Sequence, residues 1–181
     1  MIMTAQELKQ YVITAEEDQA LEARLSALEL LIRAHTNNNF QVRAFRTMAD
    51  TQGGRFMTIK PHPFQVGDTV QVTGSLFNEG LYTVTQVEDT AFTVNATTME
   101  EDDIVITKVV YPMDVKMGVV NLMKWELERR EKVGVASESI SRHSVTYESM
   151  TDDNSVMGYP KMLMGFLKPY MKARFGQGVR P

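Results

Sequence analysis

The spacing of apolar residues changes twice along the chain, and this change constrains the possible fold more than any other feature of the sequence. Between Leu21 and Ile32, apolar residues recur every three or four positions, which is the spacing of one helix face. Within 55–110, short runs such as DTVQVTG and LYTVTQV alternate apolar and polar residues, as half-buried strands do. After Pro112 the helical spacing returns. The pattern predicts helices on both sides of a β-module.

Local signals suggest where the helices begin and end. Two threonines stand three residues before a glutamate, the spacing of a capping box, and predict a short helix near 4–12 and a long one near 15–36. These pairs are Thr4 with Glu7 and Thr14 with Glu17. Asparagines at 37–39 are suited to end the long helix, because asparagine tolerates left-handed backbone. A third helix is expected over 112–131, and a last one in YPKMLMGFLKPYMKARF, kinked at Pro169.

The β-module reads as about five short strands separated by turn residues at regular spacing. Such a module suggests a small SH3-like or OB-like barrel, and these folds serve many functions. The predicted fold class is therefore α+β, with a helical bundle core of about four helices and an inserted small antiparallel β-barrel. The predicted domains are a discontinuous helical domain, 1–54 and 111–181, and the inserted module, 55–110.

Composition limits the classes of protein that fit. The chain has no cysteine, which removes disulfides and thiol chemistry, and its longest apolar run is far below the roughly 20 residues of a membrane span. We therefore expect a soluble cytoplasmic protein with no membrane contact. The net charge of −4 is uneven, because residues 154–181 contain five basic and no acidic side chains. That segment is either a solvated helix face or a surface for an acidic partner or nucleic acid.

The stretch VGVASESISRHSVTYESM places serines and glutamates around His143 and resembles a catalytic cluster at first sight. From Ile140 onward, however, it alternates as a strand does, so His143 and Ser144 point to opposite faces and cannot share a proton. The three histidines lack metal-ligand spacing, and EEDD at 100–103 lacks the pattern of a calcium loop, so a solvated turn is the expectation there. No phosphate-binding glycine motif is present. The sequence therefore predicts that the chain is not an enzyme and that it binds no metal and no cofactor.

Two longer stretches resemble a known family. SESISRHSVTY, followed by MGYPKMLMGFLKPY, is similar to the head-tail connector (adaptor or head completion) proteins of tailed bacteriophages. The resemblance implies a ring, as a dodecamer, that binds the portal protein after DNA packaging, extends the DNA channel and supports a stopper or tail-completion protein. It also implies assembly in the host cytoplasm, a place in the neck of the virion, and DNA passing through without sequence-specific binding. The β-module would be an insertion between helices.

The resemblance also implies which residues contact partners. In the family the C-terminal segment reaches into the portal, and the matching positions here are 174–181. The expected portal contacts are Arg174, Phe175, Val179 and Arg180, and the expected subunit-interface residues are Met117, Val120, Ser141, His143, Val145 and Tyr147. An alternative function is a small nucleic-acid-binding module that uses the β-barrel, although the module lacks a dense basic and aromatic surface.

Overall fold

The computed structural model describes residues 1–129, 137–140, 143–146 and 153–173. The chain divides into two compact units. The first unit consists of residues 1–2 and 25–111, and the second of residues 3–24 and 112–181. Helix α2, Asp18–Thr36, passes from the second unit into the first, and the chain returns to the second unit after Tyr111.

The first unit contains a closed barrel of six antiparallel strands in the order β1-β2-β5-β4-β3-β6. The strands are β1 (Gln41–Gln52), β2 (Arg55–Thr58), β3 (Thr69–Thr73), β4 (Gly80–Val87), β5 (Ala91–Val94) and β6 (Glu101–Val109). Pairing of β1 with β6 closes the barrel, so each strand has a neighbour on both sides. Two register shifts in the pairing of β1 with β6 help β1 to curve around the barrel.

Strands β1 and β2 are joined by the two-residue turn Gly53-Gly54. Both glycines have positive φ, +58° and +78°, and the register pairs Gln52 with Arg55 directly across the turn. Positive φ at both central positions defines a type I′ turn, whose twist matches that of the flanking strands. A side chain at either position would strain this backbone.

Aromatic side chains fill the middle of the barrel. Phe56 and Phe92 are fully buried and stack with ring centroids 5.1 Å apart, and Phe64 contacts Phe92 edge-on at 5.1 Å. Small and branched residues complete this core: Ala49, Val70, Val72, Val84, Val94, Ile104 and Ile106. His62 packs on both Phe64 and Phe92, and its Nε2 lies 3.1 Å from the carbonyl oxygen of Ala91. This histidine is therefore a structural residue of the barrel.

The predicted helical bundle core of about four helices is wrong, because the six-stranded barrel is the main structural element. Helix α1 is only Ala5–Lys9, and the predicted last helix is a 3-10 helix, Lys161–Tyr170. Helix α2 buries its apolar stripe within the first unit from Leu25 onward. Helix α1 is too short, and the 3-10 helix too narrow, to supply the apolar faces of a four-helix bundle.

The barrel also starts earlier than the predicted residue 55. Strand β1 covers Gln41–Gln52, a segment for which the sequence predicted no strand. Most of its side chains are exposed or half-buried, and only Ala49 and Thr51 are buried. Alternation is a clear signal only when one face of a strand is apolar and buried, and β1 lacks that contrast.

The second unit combines short helices with two small β-ribbons. Its elements, besides the start of α2, are α1, α3 (Met113–Arg129), β7 (Ser137–Ile140), β8 (His143–Thr146), β9 (Ser155–Val156), β10 (Tyr159–Pro160) and the 3-10 helix. Thr4 caps α1 as predicted, since its hydroxyl accepts from the N–H of Glu7 at 3.1 Å. Thr14 does not cap α2, which begins at Asp18; its hydroxyl accepts from the N–H of Glu16.

The 3-10 helix packs closely on α3. A side chain at Gly118 would lie 2.5 Å from the ring of Phe166, so the glycine makes room for that ring. At the other end of the contact, the hydroxyl of Tyr170 donates to the carboxylate of Asp114 at 2.7 Å. Gly165, by contrast, has open space around it, so a side chain would fit there. In the described part of the chain, no helix is long and apolar enough to cross a membrane.

Candidate functional site

The side chains that could bind a metal ion do not cluster in the residues that the structure describes. No group of three histidine, cysteine, aspartate or glutamate side chains in these residues could hold a metal ion. His35 lies on α2, His62 in the barrel and His143 in β8, so the histidines belong to separate elements. The surfaces of each unit are therefore the candidates for function.

One such surface is a loop of the barrel between β3 and β4. The Glu101 carboxylate accepts four hydrogen bonds from this loop: from the Ser75 hydroxyl and Leu76 N–H at 2.5 Å, the Phe77 N–H at 3.3 Å and the Asn78 amide at 3.0 Å. These bonds stabilise the ionised form, with the Ser75 bond foremost, and hold the pKa of Glu101 below its ordinary value. The expected solvated turn at 100–103 is thus wrong for Glu101, which anchors a loop from β6.

Asn78 connects the same loop to the segment before β6. Its side chain donates to the carbonyl oxygen of Met99 at 2.9 Å and accepts from the N–H of Met99 at 2.8 Å. Three large apolar side chains remain exposed beside these bonds: Leu76 by 80%, Phe77 by 59% and Met99 by 60%. We call Leu76, Phe77 and Met99 the apolar loop tip. An ordered apolar tip loses little further entropy on binding, which suits it to contact another protein.

Replacing Glu101 with alanine should release this loop while the barrel stays folded, because four donors lose a common acceptor. NMR order parameters of Leu76 and Phe77 should fall, whereas the exposed neighbour variant Glu100→Ala should leave them unchanged. The lowered pKa means that the bonds persist above the ordinary glutamate value of about 4.3 and are lost as pH falls through the lower folded value. Unchanged order in Glu101→Ala would show that the other hydrogen bonds of the loop, such as those between Asn78 and Met99, are sufficient to hold it.

A second feature of the barrel unit is a buried polar cluster where α2 meets the strands. Arg33 donates to the carbonyl oxygen of Asn39 at 2.8 Å and to Gln71 Oε1 at 2.6 Å. The Tyr111 hydroxyl donates to Glu29 Oε1 at 2.7 Å and lies 3.4 Å from Arg33. We call Glu29, Arg33, Gln71 and Tyr111 the polar cluster; a cavity of about 450 Å³ adjoins it. Because its main polar atoms are paired with each other, we assign the cluster a structural role, which is to hold α2 on the strands. It is not an open ligand site.

Burial, followed by the charge of Glu29, raises the pKa of Tyr111 well above the ordinary tyrosine value. Tyr111→Phe should lower the free energy of unfolding at neutral pH by about 1.5–3 kcal/mol, the value of a hydrogen bond to a charged group. This difference should shrink above pH of about 10, because the unfolded tyrosine then ionises while the folded one stays protonated. Urea unfolding across this pH range measures it, with exposed Tyr11→Phe as the control. A constant difference would contradict the assignment.

The residues predicted to form a subunit interface do not lie on one common exposed surface in the described part of the chain. On α3, Met117 is 37% exposed, but Val120 is fully buried, so Val120 is a core residue with no surface for a second subunit. His143 and Val145 lie in β8, which pairs with β7 as an antiparallel hairpin, in agreement with the predicted extended segment. Ser141 and Tyr147 lie outside the described residues, as do the four expected portal contacts, Arg174, Phe175, Val179 and Arg180.

The second unit also contains a groove that sequence reasoning missed. It lies between the segment 11–16 and the C-terminal half of α3 and has a volume of about 640 Å³. Its lining includes Tyr11, Ile13, Glu16, Lys124, Leu127 and Glu128. Ile13 is fully exposed, and Glu16 Oε2 is buried without a hydrogen-bond partner in the described structure. An isolated isoleucine in a segment without periodicity gave no signal in the sequence.

Comparison with known proteins adds no family assignment. No model of a protein family matches the chain, and no curated protein is significantly similar to it.

Proposed function

We propose that this chain is a structural assembly protein, which acts by binding other protein subunits and not by catalysis. Its ordered surfaces support this proposal. The barrel unit has the apolar loop tip, and the second unit exposes Ile13 completely and Met162 by 85%. A cluster of exposed large apolar side chains, such as the apolar loop tip, is typical of a surface that contacts a partner.

More specifically, the proposed function is that of a ring-forming head-tail connector of a tailed bacteriophage. One observation carries this assignment: the two stretches that resemble the family belong to a single compact unit. SESISRHSVTY contributes the hairpin β7–β8, and MGYPKMLMGFLKPY contributes β10 and the entire 3-10 helix. A single unit that carries the family resemblance, with the barrel in a separate unit, would fit a common assembly unit with an addition.

The proposed place is the neck of the virion, where a dodecameric ring would bind the portal protein and support a stopper or tail-completion protein. DNA would pass through the ring without sequence-specific contacts. The charge of the barrel segment supports this last point, since residues 41–111 contain nine acidic and five basic side chains. Such a surface repels phosphate, so no feature of the barrel favours the alternative of a nucleic-acid-binding module.

The test is portal attachment. A chain truncated after Lys172 lacks both arginines and both apolar side chains of the expected portal contact, so it should fold normally and fail to bind the portal protein of the same phage. Mass measurement of portal mixtures should show added copies for the full chain and none for the truncated one. Full attachment of the truncated chain would place the docking surface elsewhere, and a full-length chain that leaves the portal unoccupied would reject the connector function.

A further inference from the structure

We propose that the outer face of strand β1 binds the same face of a second copy of this chain, through an apolar centre with opposite charges at its two ends. We call this surface the β1 face, and it consists of Arg46, Met48 and Asp50 on β1, Met57 on β2 and Val105 on β6. The inference goes beyond the connector function. A two-fold contact joins only two copies, so it concerns the free chain and not the ring.

The register of the barrel places the β1 face on the outside. Ala49 belongs to the barrel core, so Met48 and Asp50 on either side of it point outward. Met48 is directly opposite Val105, and Asp50 is directly opposite Met57. The β1 face is therefore one continuous surface across three neighbouring strands.

The centre of the β1 face is apolar. Met48 is 53% exposed, Met57 is 38% exposed, and Val105 is half-buried. Ile59, which directly follows β2, is 90% exposed. The solvent side of an antiparallel sheet normally carries polar residues, so large apolar side chains on three adjacent strands indicate a contact surface.

The cationic end of the β1 face is Arg46, two residues before Met48. Its exposed side chain donates to two uncharged groups, the Thr107 hydroxyl at 2.9 Å and Gln41 Oε1 at 3.3 Å. Exposed Lys60 lies just beyond the end of β2, toward the same end of β1, because the two strands are antiparallel. Among the described residues, no carboxylate lies within ion-pair distance of either cation.

The anionic end is Asp50, on the other side of the apolar centre. It is exposed and accepts from the N–H of Asp103 at 2.9 Å. Asp102 and Asp103 add two exposed carboxylates, because the irregularity in the pairing of β6 with β1 lies opposite Asp50. These three carboxylates have no cation within ion-pair distance in the described part of the chain, and Arg55 at the start of β2 pairs with Glu88 instead.

The two charged ends of one chain cannot neutralise each other. At about 3.3 Å per residue, Arg46 and Asp50 are about 13 Å apart along β1, which is beyond ion-pair distance. A two-fold axis through Met48 would place Arg46 of each copy opposite Asp50 of the other and bring the apolar centres together. A two-fold contact requires a self-complementary surface, and the β1 face has this property. Charge complementarity therefore points to a second copy as the occupant.

The test uses two charge reversals, Arg46→Glu and Asp50→Arg. In a symmetric pair each variant places like charges opposite each other twice, so its dimer should dissociate at least tenfold more readily than that of the wild-type chain. An equimolar mixture of the two variants should form dimers again, because both contacts across the mixed pair then join opposite charges. The double variant should dimerise with itself for the same reason. Analytical ultracentrifugation measures the dissociation constants.

The apolar centre has its own variant and matched controls. Met48→Asp places a carboxylate in the contact and should also weaken the dimer at least tenfold. Strand β4 lies opposite β1 in the six-stranded order, so changes there leave the β1 face intact. Val87→Asp alters a side chain of β4 that is 40% exposed, and Asp89→Arg reverses an exposed charge just after it. Both controls should dimerise as the wild type does, and circular dichroism should show all variants folded.

Several results would overturn the inference. They are a wild-type chain that stays monomeric at every concentration, a dimer that either charge reversal leaves intact, and a mixture that fails to form dimers or grows beyond them. A monomeric wild type whose portal binding is lost in Met48→Asp would assign the β1 face to the portal instead. The truncation after Lys172 tests portal attachment separately, so failure of the dimer leaves the connector function standing, and failure of portal attachment leaves the dimer standing.

Discussion

Replacing Arg33 with methionine should lower the free energy of unfolding of the barrel unit by about 3 kcal/mol or more, because at least two hydrogen bonds from a charged group are lost, each worth about 1.5–3 kcal/mol. Arg33 is only 8% exposed and binds Gln71 and the Asn39 carbonyl from α2. Methionine retains most of the apolar stem but leaves these two acceptors and the Tyr111 hydroxyl without the guanidinium.

The exposed Arg43→Met is the matched control and should change stability by no more than about 0.5 kcal/mol. Hydrogen exchange of the barrel amides measures the stability of the barrel unit. The single tryptophan, Trp125, lies in the second unit, and its fluorescence therefore reports on that unit separately. Equal effects of Arg33→Met and Arg43→Met would show that the polar cluster contributes little to stability.

Replacing Phe92 with alanine should have an effect of similar size, about 3–5 kcal/mol, for a different reason. Phe92 is 1% exposed and contacts Phe56, Phe64 and His62, so its removal leaves a cavity that the closed barrel cannot fill. Urea unfolding followed by barrel hydrogen exchange measures the loss.

Phe77→Ala in the apolar loop tip is the control, because that ring is 59% exposed and outside the core. Its effect on stability should stay within about 0.5 kcal/mol. If Phe92→Ala were as mild as Phe77→Ala, the barrel core would be loosely packed and the aromatic contacts would not specify it.

The boundaries of the barrel have a consequence for deletion experiments. A deletion of 55–110, the predicted module, would leave β1 without either neighbour, because β1 pairs with β2 and β6. It would also uncover Leu25, Leu28 and Ile32 on α2, which are buried. A shortened chain should therefore be designed from the observed units, and not from the change of period at Gly53-Gly54.

Local chemistry in the sequence determined several elements directly. Alternating and apolar runs predicted β2 to β6, because one face of each strand is buried in the barrel core. Helical spacing and the Thr4 cap located α1, α2 and α3 to within a few residues. Asn37 ends α2 with φ +50°, as expected for a residue that tolerates left-handed backbone. Each of these signals depends on neighbours close in the chain.

Tertiary structure alone decided which surfaces these elements form. Strand β1 exists because β2 and β6 supply its hydrogen bonds, and its own residues alternate too weakly to reveal it. Glu101 meets the loop at Leu76 only when the barrel closes, and Tyr111 reaches Glu29 across an even longer separation in sequence. The groove at Ile13 likewise needs α3 beside it. Contacts between distant residues depend on how the chain closes, and periodicity and capping carry no information about that closure.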